Sequence, residues 1–101
     1  MTDTPFDDRS PTFWADLNSC CDRFEAACKS GGAPRIEDYL KNVPETLRPF
    51  YLRELVRLEV YYRRRDGEQV TAEEYTYRFY HYRNILTIIG DAFSQSHSRN
   101  A

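Results

Sequence analysis

The chain has 101 residues, enough for one domain with a modest core and too few for a catalytic fold of ordinary size. Apolar residues make up 41% and charged residues 30%, the balance of a globular chain rather than a disordered one. Formal net charge is −2, so no global field draws the chain toward nucleic acid or anionic lipid.

Residues 1–9 are polar and aperiodic and read as a linker. The opening stretch MTDTPFDDRSPT is acidic, unlike a signal peptide. Ser10 is a plausible N-cap, and Pro11 suits a first helical turn. From there Trp14, Leu17, Cys21, Phe24 and Cys28 step by helical spacings, which predicts a first helix with Trp14 and Phe24 in the core. Gly31 and Gly32 then supply its stop. By the same reading Cys21 lies on the apolar stripe, and Cys20 beside it is the more exposed thiol.

Pro34 opens a short helical segment in which Ile36, Tyr39 and Leu40 share a face, and Pro44 limits its length. A long helix follows, with its regular part starting near Pro49. Leu47, Tyr51, Leu55, Leu58 and Tyr62 form its stripe, with Leu52, Val56 and Glu59 alongside and Phe50, Val60 and Tyr61 on another side. A helix apolar on two sides is expected at the centre of the fold.

Arg63, Arg64 and Arg65 fall in the last turn of that helix, with Gly67 where a left-handed cap belongs. Cations there complement the helix dipole. Successive residues diverge by about 100° around a helix, so the three cannot all point into one groove. Together with Tyr61 they are nonetheless the candidate interaction surface of the chain. Thr71 to Glu74 reads as a capping box opening a helix that carries Tyr75, Phe79 and Tyr82. Ile85, Leu86, Ile88, Ile89 and Phe93 continue with helical spacing, interrupted at Gly90, and the pattern alone leaves open whether 72–94 is one bent helix or two. Residues 95–101 read as a tail. No segment alternates with period two. The expected architecture is therefore all-α, four or five helices without a sheet, over residues 10–94.

Catalytic constellations are absent from the pattern. Gly31-Gly32 is followed by Ala and Pro rather than the Lys-Ser/Thr of a phosphate loop. Cys20, Cys21 and Cys28 are odd in number, and His81 and His97 stand at no ligand spacing, so neither a disulfide framework nor a zinc site is expected. A reducing cytoplasm and no cofactor follow from this reading. The pairs Glu37–Asp38 and Glu73–Glu74 are ordinary acids of a first helical turn. The longest apolar run, ILTII at 85–89, is too short to span a bilayer.

Three blocks between residues 20 and 79, CDRFEAACKSGGAPRIEDYL, VPETLRPFYLRELVRLEVYYRRRDGE and TAEEYTYRF, occur in an order that resembles a segment ahead of the catalytic domain in serine/threonine protein kinases of planctomycete bacteria. The chain departs from that pattern at Tyr80 and at Val70 and Ala72, where the family carries prolines. No Gly-rich nucleotide loop, catalytic-loop Asp or Mg-binding Asp motif is present. The resemblance implies a non-catalytic regulatory or protein-interaction module, with a protein partner or attached kinase domain, existing as a monomer or weak homodimer. Arg23, Glu37, Asp38 and Arg78 are then candidate ion-pair residues tying the short second helix to its neighbours. The competing reading is a small helical nucleic-acid-binding protein using Arg63 to Arg65; the net charge opposes it, and no nucleic-acid partner is expected.

Overall fold

The computed structural model describes residues 11–98, with side chains from Thr12 to Ser94. Among the described residues the fold consists of five α-helices and one 3₁₀ turn, with no strand. Helix α1 spans Pro11–Lys29. Its expected cap at Ser10 lies outside the described residues. The chain reverses through Gly31, at φ 81°, whose neighbour Gly32 donates its amide to Ala27 O at 3.0 Å.

The buried face of α1 is Phe13, Leu17, Cys20 and Phe24. This corrects the expected stripe by about 50°, roughly a seventh of a turn. Trp14 is 46% exposed, whereas Phe13 is 6% exposed and sets its ring edge-on against Phe50 and Tyr51. Both sets of residues satisfy the three-and-four spacing of a helix, and only packing against the next long helix selects between them. Cys20 accordingly moves inside at 4% exposure, and Cys21 becomes the half-buried thiol.

Helix α2, Ile36–Leu40, is a single turn anchored by Ile36 and Leu40, with Tyr39 edge-on to Phe24 at 5.2 Å. A 3₁₀ turn at Glu45–Leu47 leads into α3, Arg48–Arg65, with Pro49 in the first turn, where its missing N–H costs no helical bond. Helix α3 touches α1, α2 and α5 and so occupies the centre. Its fully buried residues are Tyr51, Leu52, Leu55, Val56 and Val60. Leu47, Leu58 and Tyr62, expected on the main stripe, are only partly buried. Val60, expected on another side, is buried instead.

The C-terminal region is two helices, α4 at Ala72–Arg78 and α5 at Ile85–Ser98. Asn84, at φ 63°, shapes the turn between them. Thr71 caps α4 by accepting the Glu74 amide at 3.4 Å. The reciprocal half of the capping box is absent, because the Glu74 carboxylate is engaged by Arg63. Gly90 does not interrupt α5, which runs through it and past residue 94 to Ser98. Ile88, Ile89 and Ala92 close the core, and Leu86 faces out at 73% exposure.

Candidate functional site

The arginine run ends α3 as a helix terminus should. Gly67 takes φ 91°, and its amide and that of Glu68 bond back to Arg64 O and Arg63 O. The reversal carries Glu68 and α4 back alongside α3. Arg63 then donates from Nε to Glu68 Oε1 at 2.8 Å, and from Nη1 to Glu74 Oε2 and to the Tyr75 hydroxyl. Arg64 turns the other way, donating to Val70 O at 3.3 Å with its guanidinium 5.4 Å from the Phe93 ring. Arg65 is exposed, as is Tyr61 at 54%. The structure therefore does not gather Arg63, Arg64, Arg65 and Tyr61 into one surface. Arg63, partly buried, holds the turn and α4, while the exposed Arg64 reaches across to Val70 O in the loop before α4.

Arg63 is one end of a longer chain of polar contacts. Tyr75 is fully buried, and its hydroxyl donates to Glu59 Oε1 at 2.6 Å. The same oxygen accepts from Arg78 Nη1 at 2.9 Å. Arg78 also grips Glu37 bidentately, Nε to Oε2 at 2.9 Å and Nη2 to Oε1 at 2.8 Å. Its guanidinium lies 4.9 Å from the Phe79 ring centre. Helices α2, α3 and α4 are thus joined through Glu37, Arg78, Glu59, Tyr75 and Arg63.

The charges reinforce one another. The bidentate bond from Arg78 is the main cause that holds the Glu37 carboxyl down at about 2. Bonds to Glu74 and to Glu37 raise Arg63 and Arg78, respectively, above the ordinary guanidinium value. Burial, then the bond to Glu59, pushes the Tyr75 phenol up. Across the same cleft the Tyr62 hydroxyl donates to Glu25 Oε2 at 2.8 Å; burial and this carboxylate push its phenol to about 12.

Glu59, Tyr62, Arg63, Glu68, Glu74 and Arg78 line an open cleft of about 440 Å³, rimmed by Arg35, Asp66 and the loop before α2. Of its charged side chains, Arg63, Arg78, Glu59, Glu68 and Glu74 are committed to one another. Among the described residues no group of His, Cys, Asp and Glu has the arrangement to hold a metal ion. Burial raises all three thiols, that of Cys21 to about 12, so none is a ready thiolate. No helix among the described residues is long and apolar enough to cross a membrane.

Of the four candidate ion-pair residues, Glu37 and Arg78 do meet. Arg23 donates instead to Ser19 at 3.2 Å, and Asp38 pairs with Lys41 at the surface. Glu59 and Tyr75 were not singled out from sequence as joints of a network. A usable signal existed, since an acid beside Leu55 and Val56 on an apolar face requires a partner. No protein-family model, curated protein or solved structure matches the chain.

Proposed function

We propose that the chain is a non-catalytic regulatory or protein-interaction module working with a serine/threonine kinase. One observation carries the non-catalytic half: the charged groups Glu59, Arg63, Glu68, Glu74 and Arg78 of the cleft between α3 and α4 are bonded to one another, so they act as a brace rather than as chemistry awaiting a substrate. The raised thiols weigh the same way. Kinase association rests on the resemblance of the three blocks between residues 20 and 79. A cytoplasmic setting accords with three unpaired cysteines. The nucleic-acid reading has less support, because Arg63 and Arg64 are already occupied within the fold.

The test has two arms. The purified chain with Mg-ATP should neither transfer nor release phosphate. A serine/threonine kinase catalytic domain encoded with the chain should bind it in titration calorimetry and change its autophosphorylation rate. Phosphotransfer by the chain alone overturns the first half, and a kinase that neither binds nor responds overturns the second.

A further inference from the structure

The exposed apolar side chains are unevenly distributed. Tyr77 at 81%, Tyr80 at 73% and Leu86 at 73% are the most exposed large hydrophobics of the described residues, and all belong to the end of α4, the following turn and the start of α5. The same stretch, YTYRFYHYRNILTIIG from Tyr75 to Gly90, contains no acid. The turn is firmly seated: Phe79 is 1% exposed, Tyr82 stands edge-on to it at 6.0 Å, and the Tyr82 amide bonds to Phe79 O. Tyr80 and His81 are therefore presented outward from a fixed base, with their rings 5.8 Å apart.

Beside this turn lies a recess of about 310 Å³ lined by Arg48, His81, Tyr82 and Arg83, with Pro49 and Glu45 at its edge. Arg48 is fixed there, since its guanidinium donates to Val43 O at 2.8 Å and closes the end of α2. Arg83 makes no ion pair or hydrogen bond among the described residues. An adjoining recess shares Arg48, His81 and Tyr82. Its Glu37 is neutralised by Arg78 and its Lys41 by Asp38. Glu45 is the opposing charge, leaving a small cationic excess from Arg48 and Arg83.

We propose that this surface docks an acidic segment of a partner protein. A carboxylate of the segment enters the recess between Arg48, His81 and Arg83, while its apolar residues rest on Tyr80 and Tyr77. Tyrosine and arginine are the residues that interface centres favour, and a held guanidinium loses little entropy on binding. Two cations against Glu45 leave an excess of one positive charge, which matches one carboxylate. A nucleic-acid backbone demands a run of cations, which Glu45 and the net charge of −2 oppose. The inference deepens the interaction-module reading and rests on it, but it does not require the partner to be a kinase.

The probe is a panel of fluorescein-labelled dodecapeptides, each with two to four Asp or Glu interleaved with Leu, Phe or Tyr, read by fluorescence anisotropy. Saturable binding by panel members is expected at about 10–100 μM, weakening at high salt. Arg83→Gln with Tyr80→Ser should weaken it about tenfold or more at unchanged helical circular dichroism, and so should replacing the acids of the peptide by amides. No saturable binding across the panel overturns the proposal, as does binding indifferent to the double substitution. Tighter binding to oligothymidylate or to phosphatidylserine vesicles, lost in the same variant, also overturns it. If peptides fail while a kinase domain binds, the surface is refuted and the module reading stands. If peptides bind while no kinase domain does, kinase association alone falls.

Discussion

Phe13 and Trp14 are neighbours on α1, and their energetic weights differ through packing rather than size. Phe13 has aromatic edges on three sides, while nearly half of Trp14 remains in water. Trp14→Ala should therefore cost about 1 kcal/mol or less, against about 3–5 kcal/mol for Phe24→Ala, where a fully buried ring leaves a cavity. Urea unfolding of both variants checks the contrast. Sequence spacing placed Leu17 and Phe24 correctly because they belong to either candidate stripe. It could not separate Phe13 from Trp14, or Cys20 from Cys21, because a shift of one residue preserves the period and only the partner helix breaks the tie. Glu37 yields a pH signature. Its folded carboxyl is depressed from 4.5 to about 2, so its contribution is complete above the ordinary value and is lost as pH falls toward 2. Stability measured between pH 5 and 2 should decline in the natural chain and decline less steeply in Glu37→Gln.

At the level of the element, the end of α3 was the most legible part of the chain, because Gly67 and the arginines are independent signs of the same terminus. What the signs did not reveal is the inequality among the arginines. Arg63 is 25% exposed and bonds to three side chains, whereas Arg65 is exposed with no ion pair among the described residues. Arg63→Gln is expected to cost about 1–3 kcal/mol, and Arg65→Gln to stay within about 0.5 kcal/mol. Equal effects in guanidinium unfolding would mean that the dipole, not the bonding, governs this terminus. The capping box at Thr71 was half legible for a related reason. A motif fixes which bond is available locally, but Glu74 finds a stronger, charged partner that the turn brings back across the fold.

For the whole molecule, the all-α architecture and the central place of α3 were readable because helical periodicity recurs in every long segment. The division of 72–94 into two helices was not, since it depends on the turn at 79–84 and a left-handed Asn84. The polar brace was legible only in part. Glu37 and Arg78 were named as ion-pair candidates and do meet, but Glu59 and Tyr75, which carry the network on to Arg63, were not, because local spacing does not show which distant groups a buried acid and phenol will face. Arg78→Met would leave Glu37 and Glu59 without their cation. It should destabilise the fold by about 2 kcal/mol or more, with α4 the first element to lose amide protection in hydrogen exchange.

That brace also has a consequence in time. The guanidinium of Arg78 can grip both carboxylates only after α2, α3 and α4 have taken their places, so the clamp belongs to the final stage of assembly. Interactions made late govern how long the native state lasts rather than how fast it is reached. In stopped-flow measurements Arg78→Met should quicken unfolding while leaving the refolding limb nearly unmoved. A slowed refolding limb would mean instead that the clamp nucleates the fold. By this account Arg78 works as a latch, setting the lifetime of the folded domain.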